Sequence, residues 1–208
     1  MKKLLLILLV AFTIQATGFS QINNISSGQY SEMALAYNPE TKIVTGYYNN
    51  GTGDNGKGLP LFTCLFYMEG KMINGKAFIN TYYPQFKLNK EPGEYDIPGV
   101  LTYVSSKEIA LKLKENPAGC DNVQQFQIKA ASLYFDKKEN WIAIKYVVAG
   151  KAYFYQDDNT TRRKGYILKG DIVYIDSEKD GWAHCTYITD KWKRIAGWIK
   201  TTDLNVLK

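Results

Sequence analysis

Residues 151–204 read KAYFYQDDNTTRRKGYILKGDIVYIDSEKDGWAHCTYITDKWKRIAGWIKTTDL, and the periodicity of this stretch decides the fold class. Successive side chains of a strand point to opposite faces. In IVYIDS, Val173 and Ile175 therefore share one face, and Ile172, Tyr174 and Asp176 the other. In WAHCTYI, Ala183, Cys185 and Tyr187 line one side, which two small residues and a ring mark as interior. Trp182, His184 and Thr186 stand on the opposite side. Lys169-Gly170-Asp171 and Lys179-Asp180-Gly181 supply turns whose glycines can take positive φ. Gly197-Trp198-Ile199 reads as a closing strand, followed by a short helical turn up to Leu204.

Upstream the same strand signals continue. MALAYN and KIVTGYY flank the polar turn Pro39-Glu40-Thr41, and the glycine-rich loop NNGTGDNGKG follows. LPLFTCLFYM is an apolar run of strand length, with KAFINTYY returning through Asn74-Gly75, a strong hairpin signal. GVLTYVSS and EIALKLK read as further strands, the second with a short helix as its alternative. ASLYFD and NWIAIKYVV, joined by Lys137-Lys138-Glu139, read as another hairpin, and Asn116 to Gln127 as a loop or short helix. Eight or so antiparallel strands without βαβ alternation predict an all-β chain. Residues 21–149 are expected to form an antiparallel β barrel with an interior able to hold a ligand, a two-sheet sandwich being the alternative. Tyr47, Tyr48, Phe62, Phe66, Tyr67, Tyr82, Tyr83 and Tyr103 all fall in these strands, and strand propensity accounts for most of them without a ligand.

Three pieces in order carry a resemblance over residues 150–208. They are Lys169-Gly170-Asp171 with Val173 and Ile175, then Asp180-Gly181-Trp182, then Gly197-Trp198-Ile199 with Leu204. Together they resemble a bacterial SH3-like domain, a small barrel that targets proteins to the cell wall or accompanies wall hydrolases. The resemblance implies a ligand-binding groove across aromatics beside the long first loop. The matching positions are Tyr153, Tyr155, Trp182 and Trp198, with Asp157 and Asp158 in the loop and Arg162-Arg163-Lys164 closing it. Such a surface can stack on a sugar or peptide and steer a charged one. Separately, Ser27-Gly28-Gln29-Tyr30 resembles, with different spacing, the loop motif of one lysozyme-inhibitor family.

The chain opens with Lys2-Lys3, an apolar run from Leu4 to Phe12, and small residues at Gly18 and Ser20. Residues 1–20 thus read as a secretory signal peptide cut before Gln21, the apolar run falling short of the about 20 residues a membrane span needs. Export to the periplasm or the extracellular space follows, with no membrane span after its removal. The formal net charge of +6 is spread along the chain, which gives no case for nucleic acid. Three cysteines in an exported chain permit one disulfide. Cys64 and Cys120 precede the SH3-like stretch and Cys185 lies within it, which pairs the first two. Closing so long a loop is worth roughly 4 kcal/mol by chain entropy.

Catalysis finds little support in these residues. His184, the single histidine, adjoins Cys185, but neighbours on one strand point to opposite faces and do not form an activated nucleophile pair. One histidine and three cysteines, two of them bonded, cannot furnish a familiar zinc set. No phosphate-cradling loop opens a helix, so no nucleotide cofactor is expected, and no metal or other cofactor. The expectation is a noncatalytic envelope protein binding a wall peptide, a wall glycan or an envelope protein. The rivals are a periplasmic inhibitor or immunity protein acting on a hydrolase, and a hydrolase built on Asp and Glu.

Overall fold

The computed structural model describes residues 25–83, 96–156, 161–189 and 191–207. The leader reading, and Asp157 and Asp158 of the long loop, lie outside the described residues. The chain is all-β, and among the described residues the single helical element is a 3-10 turn, η1 (Thr201–Asp203).

The first eight strands are β1 (Gly28–Tyr30), β2 (Met33–Tyr37), β3 (Ile43–Thr52), β4 (Phe62–Ile73), β5 (Lys76–Tyr82), β6 (Ile97–Ser105), β7 (Glu108–Leu113) and β8 (Ala131–Lys138). Each pairs antiparallel with the next, and β1 pairs with β8, so the meander closes into a barrel. That seam excludes the sandwich alternative. It also places Gly28–Tyr30 in the barrel wall, where the resemblance to an inhibitor motif calls for a loop. EIALKLK is strand β7, its Ile109, Leu111 and Leu113 all facing inward by strict alternation. At the β4–β5 turn, Asn74 and Gly75 take φ of 49° and 77°, the left-handed pair that matches the twist of a two-residue hairpin.

The barrel interior is filled by side chains and is not an open cavity. Met33, Leu35, Phe66, Met68, Leu101 and Leu111 are fully buried there. Phe126 enters from the β7–β8 connection and sets its ring edge against Tyr48 and Phe66, at 5.2 and 5.5 Å between centroids. The Cys64–Cys120 disulfide ties that connection to β4, the pairing that the positions of the cysteines predict. The remaining free cysteine, Cys185, is buried.

The second sheet has the order β11-β10-β14-β13-β12-β9. Its strands are β9 (Ala143–Tyr146), β10 (Lys151–Tyr155), β11 (Arg162–Leu168), β12 (Ile172–Lys179), β13 (Trp182–Ile188) and β14 (Arg194–Lys200). All six strands, or the residues flanking them, feed one buried cluster that includes Val147, Phe154, Ile167, Val173, Cys185, Ile199 and Leu204. The predicted alternation holds: Val173, Ile175, Ala183 and Cys185 face this core.

The expected β8–β9 hairpin does not form. β8 runs to Lys138 and pairs with β1 and β7, whereas β9 crosses over and pairs with β12. All four residues of β9 are buried, because one face meets the second core and the other meets the barrel wall. A strand covered on both faces loses the alternation of a half-buried one, and its Lys145 is buried against Glu178. The seam it builds holds Ala34, Ala36, Tyr67 and Tyr82 of the barrel against Trp141, Ile144, Tyr146 and Tyr174. Two hydrogen bonds cross it at Ile144: its N–H donates to Thr45 Oγ1 at 2.7 Å, and its carbonyl accepts from Tyr67 Oη at 3.0 Å.

Candidate binding face on the second sheet

Residues directly opposite each other on neighbouring antiparallel strands share a face. Tyr155 of β10 stands opposite Trp198 of β14, and Trp198 opposite His184 of β13. Trp182 and Tyr153 each lie two residues along their strands, so alternation returns both to this face. Phe154, between the two tyrosines, and Ala183 and Cys185, around His184, turn into the core. All four aromatic positions named from the sequence therefore occupy one face, and each is half-buried.

Their rings are in contact. Tyr155 meets Trp182 edge-on at 4.8 Å, reaching across β14, and His184 meets Trp198 at 5.2 Å and 62°. Tyr153 meets Tyr166 of β11 at 5.7 Å. The Arg162 guanidinium lies 3.5 Å above the Tyr153 ring, and the Lys200 ammonium 5.8 Å above Trp182. Cations so placed are attracted by the π-face and pin the ring beneath them. Arg163 is held differently, its Nη1 donating to the Ala196 carbonyl at 2.7 Å.

His184 stands on this surface beside Trp182, as alternation expects, but its pairing with Asp176 was not foreseen. Its Nδ1 lies 2.8 Å from both carboxylate oxygens of Asp176. The β12–β13 register shifts between Ile175 and Ser177, and this bulge sets Asp176 against the imidazole. Only the three-dimensional register reveals that pairing. Cys185 points the opposite way into the core, where burial pushes its thiol well above the usual range. The two side chains do not form a nucleophile pair.

The result is an aromatic strip flanked by Arg162 and Lys200, with the Asp176 carboxylate engaged by His184. Its π-surfaces suit stacking, and its flanking cations suit a ligand carrying carboxylates. Among the described residues no three His, Cys, Asp or Glu side chains converge as a metal set. No helix among them is long and apolar enough to cross a membrane. Compared with protein-family models, curated proteins and solved structures, the chain gives no significant match to any of them.

Proposed function

We propose that this chain is an exported, noncatalytic binding protein of the cell envelope, and that residues 150–208 act as an SH3-like module on a wall peptide or glycan. Export rests on the leader sequence, and the Cys64–Cys120 disulfide suits the oxidising compartment it implies. The SH3-like reading is supported by the order of its three sequence pieces and by the five strands β10–β14, which with β9 gather round one core. The single observation carrying the function is the convergence of Tyr153, Tyr155, Trp182 and Trp198 on one half-exposed face beside Arg162 and Lys200. Wall peptides and glycans bring the ring faces, amides and carboxylates that such a surface takes up.

Co-sedimentation with purified peptidoglycan tests this. Trp198→Ala should weaken pelleting by roughly tenfold, the equivalent of about 1.4 kcal/mol. The variant's circular dichroism should match that of the parent. Undiminished pelleting would remove this face from the account.

One observation favours a second reading, an inhibitor of a wall hydrolase. The far end of the β3–β4 hairpin carries Leu59 and Leu61 at 61% and 58% exposure, beside exposed Phe62. An apolar tip of this kind suits insertion into a cleft on a partner. Immobilised protein that retains one hydrolase from envelope extract, and no wall polymer, would select this reading.

A further inference from the structure

The most exposed large aromatic among the described residues is Trp192, in the β13–β14 turn. It is 84% exposed, and its backbone is left-handed at φ 60°. That conformation costs energy for a bulky side chain, and an exposed ring returns none of it through burial. Folding alone therefore gives no reason for a tryptophan here, and backbone strain of this kind gathers at functional sites.

Trp192 stands at the rim of a cleft of about 650 Å³ between the barrel wall and the second sheet. That volume lies within the range of small-ligand sites. Tyr47 on the barrel side faces Tyr174 and Tyr187 on the sheet side, so aromatic rings line both walls together with Trp192. Between them stand the planar amides of Gln29 and Asn49 and the carboxylates of Glu32 and Asp171. Asp171 already accepts the Leu168 N–H at 2.7 Å, which fixes its orientation. No Lys or Arg is among the described residues lining the cleft, although Lys191 and Lys193 flank Trp192 in sequence.

We infer that this cleft is a second binding site, for a neutral saccharide. Aromatic rings offer apolar platforms to the C–H faces of a sugar, while amides and carboxylates match its paired hydroxyls as donors and acceptors. Two carboxylates without a lining cation disfavour an anionic ligand. The site shares no residue with the aromatic strip at Tyr155, Trp182 and Trp198, and it stands whether or not that strip binds the wall.

The test is titration of the purified full chain with chitotetraose and cellotetraose, followed by isothermal calorimetry and by the indole N–H resonances, with a galacturonic acid tetramer as the anionic comparison. At least one neutral tetrasaccharide should bind and shift the Trp192 indole signal. Trp192→Gly should weaken that binding by about tenfold. The same change should hold or raise the melting temperature, because glycine accepts the left-handed backbone. Phe78→Ala, which removes an exposed ring outside both the cleft and the strip, should leave the affinity unchanged. The inference falls if neither neutral sugar binds at millimolar concentration, if Trp192→Gly binds as well as the parent, if the sugar shifts the Trp182 and Trp198 indole signals but not that of Trp192, or if the anionic tetramer binds equally well.

Discussion

Glu139 lies in the connection between β8 and β9, where the chain leaves the barrel for the second sheet. Its Oε1 accepts from Arg194 Nη2 at 2.7 Å and from Lys137 Nζ at 2.8 Å. The Arg194 hydrogen bond, with Lys137 adding to it, holds the carboxyl below its usual value of 4.5 against the opposing effect of burial. A carboxyl whose folded pKa is depressed contributes stability that is present above the unfolded pKa and lost as pH falls through the folded one. Arg194→Ala should therefore lower the melting temperature at neutral pH, and the gap to the parent should close as pH drops below about 4.5. Paired thermal melts across that range measure it. A gap that persists where carboxylates are fully protonated would mean that Arg194 stabilises by packing alone. Sequence and structure also differ in which residues of the candidate sites each makes visible. Tyr153, Tyr155, Trp182 and Trp198 were named through the resemblance to SH3-like domains, and the structure sets all four on one face. Asp176 and Trp192 were not, since one needs a bulge to meet its partner and the other is marked only by its backbone and exposure.

At the scale of elements, the connection between β7 and β8 depends on one covalent tie. It has no regular structure to hold it, yet it delivers Phe126 into the barrel core, six residues beyond Cys120. The disulfide closes a loop of sequence separation 56, for which chain entropy gives roughly 4 kcal/mol. Cys64→Ala with Cys120→Ala should lower urea stability by about that amount. In unfolded, unreduced protein a thiol reagent should label Cys185 alone, and three labelled thiols would overturn the bond. Elements defined by local chemistry were legible: the Asn74-Gly75 and Asp180-Gly181 turns, with paired left-handed residues, appear where the sequence puts them. The crossover of β9 was not legible, because a polar Lys137-Lys138-Glu139 joint looks the same whether the next strand folds back or departs. What decides its course is distant: Ala34, Ala36 and Tyr67 make the outer barrel wall apolar, and β9 buries its second face there.

For the molecule as a whole, that seam determines whether the two sheets unfold together. Tyr67, Tyr82 and Tyr146 form a ring cluster with centroids 5.2 to 6.2 Å apart, and Trp141 lies against Tyr174 at 4.5 Å. Two of the hydroxyls find protein partners, Tyr67 donating to the Ile144 carbonyl at 3.0 Å and Tyr82 to Glu69 Oε2 at 2.9 Å. Burial pushes the phenols of Tyr67, Tyr82 and Tyr146 upward, and neighbouring Glu69 pushes the same way. Burial likewise raises Tyr174, to about 12. With folded values above the ordinary 10.0, these groups hold their protons longer folded than unfolded, so their stability is complete below pH 10 and is lost as pH rises through the folded values. Alkaline titration should accordingly leave the seam phenols un-ionised until the fold yields. The tyrosinate absorbance of the seam and the loss of circular dichroism should rise together in one transition above pH 10. Tyr174→Phe should move that transition upward by removing one ionisation that favours the unfolded chain. If seam tyrosinate develops while the dichroism is intact, or if barrel and second sheet melt in two separate steps, the seam does not couple them.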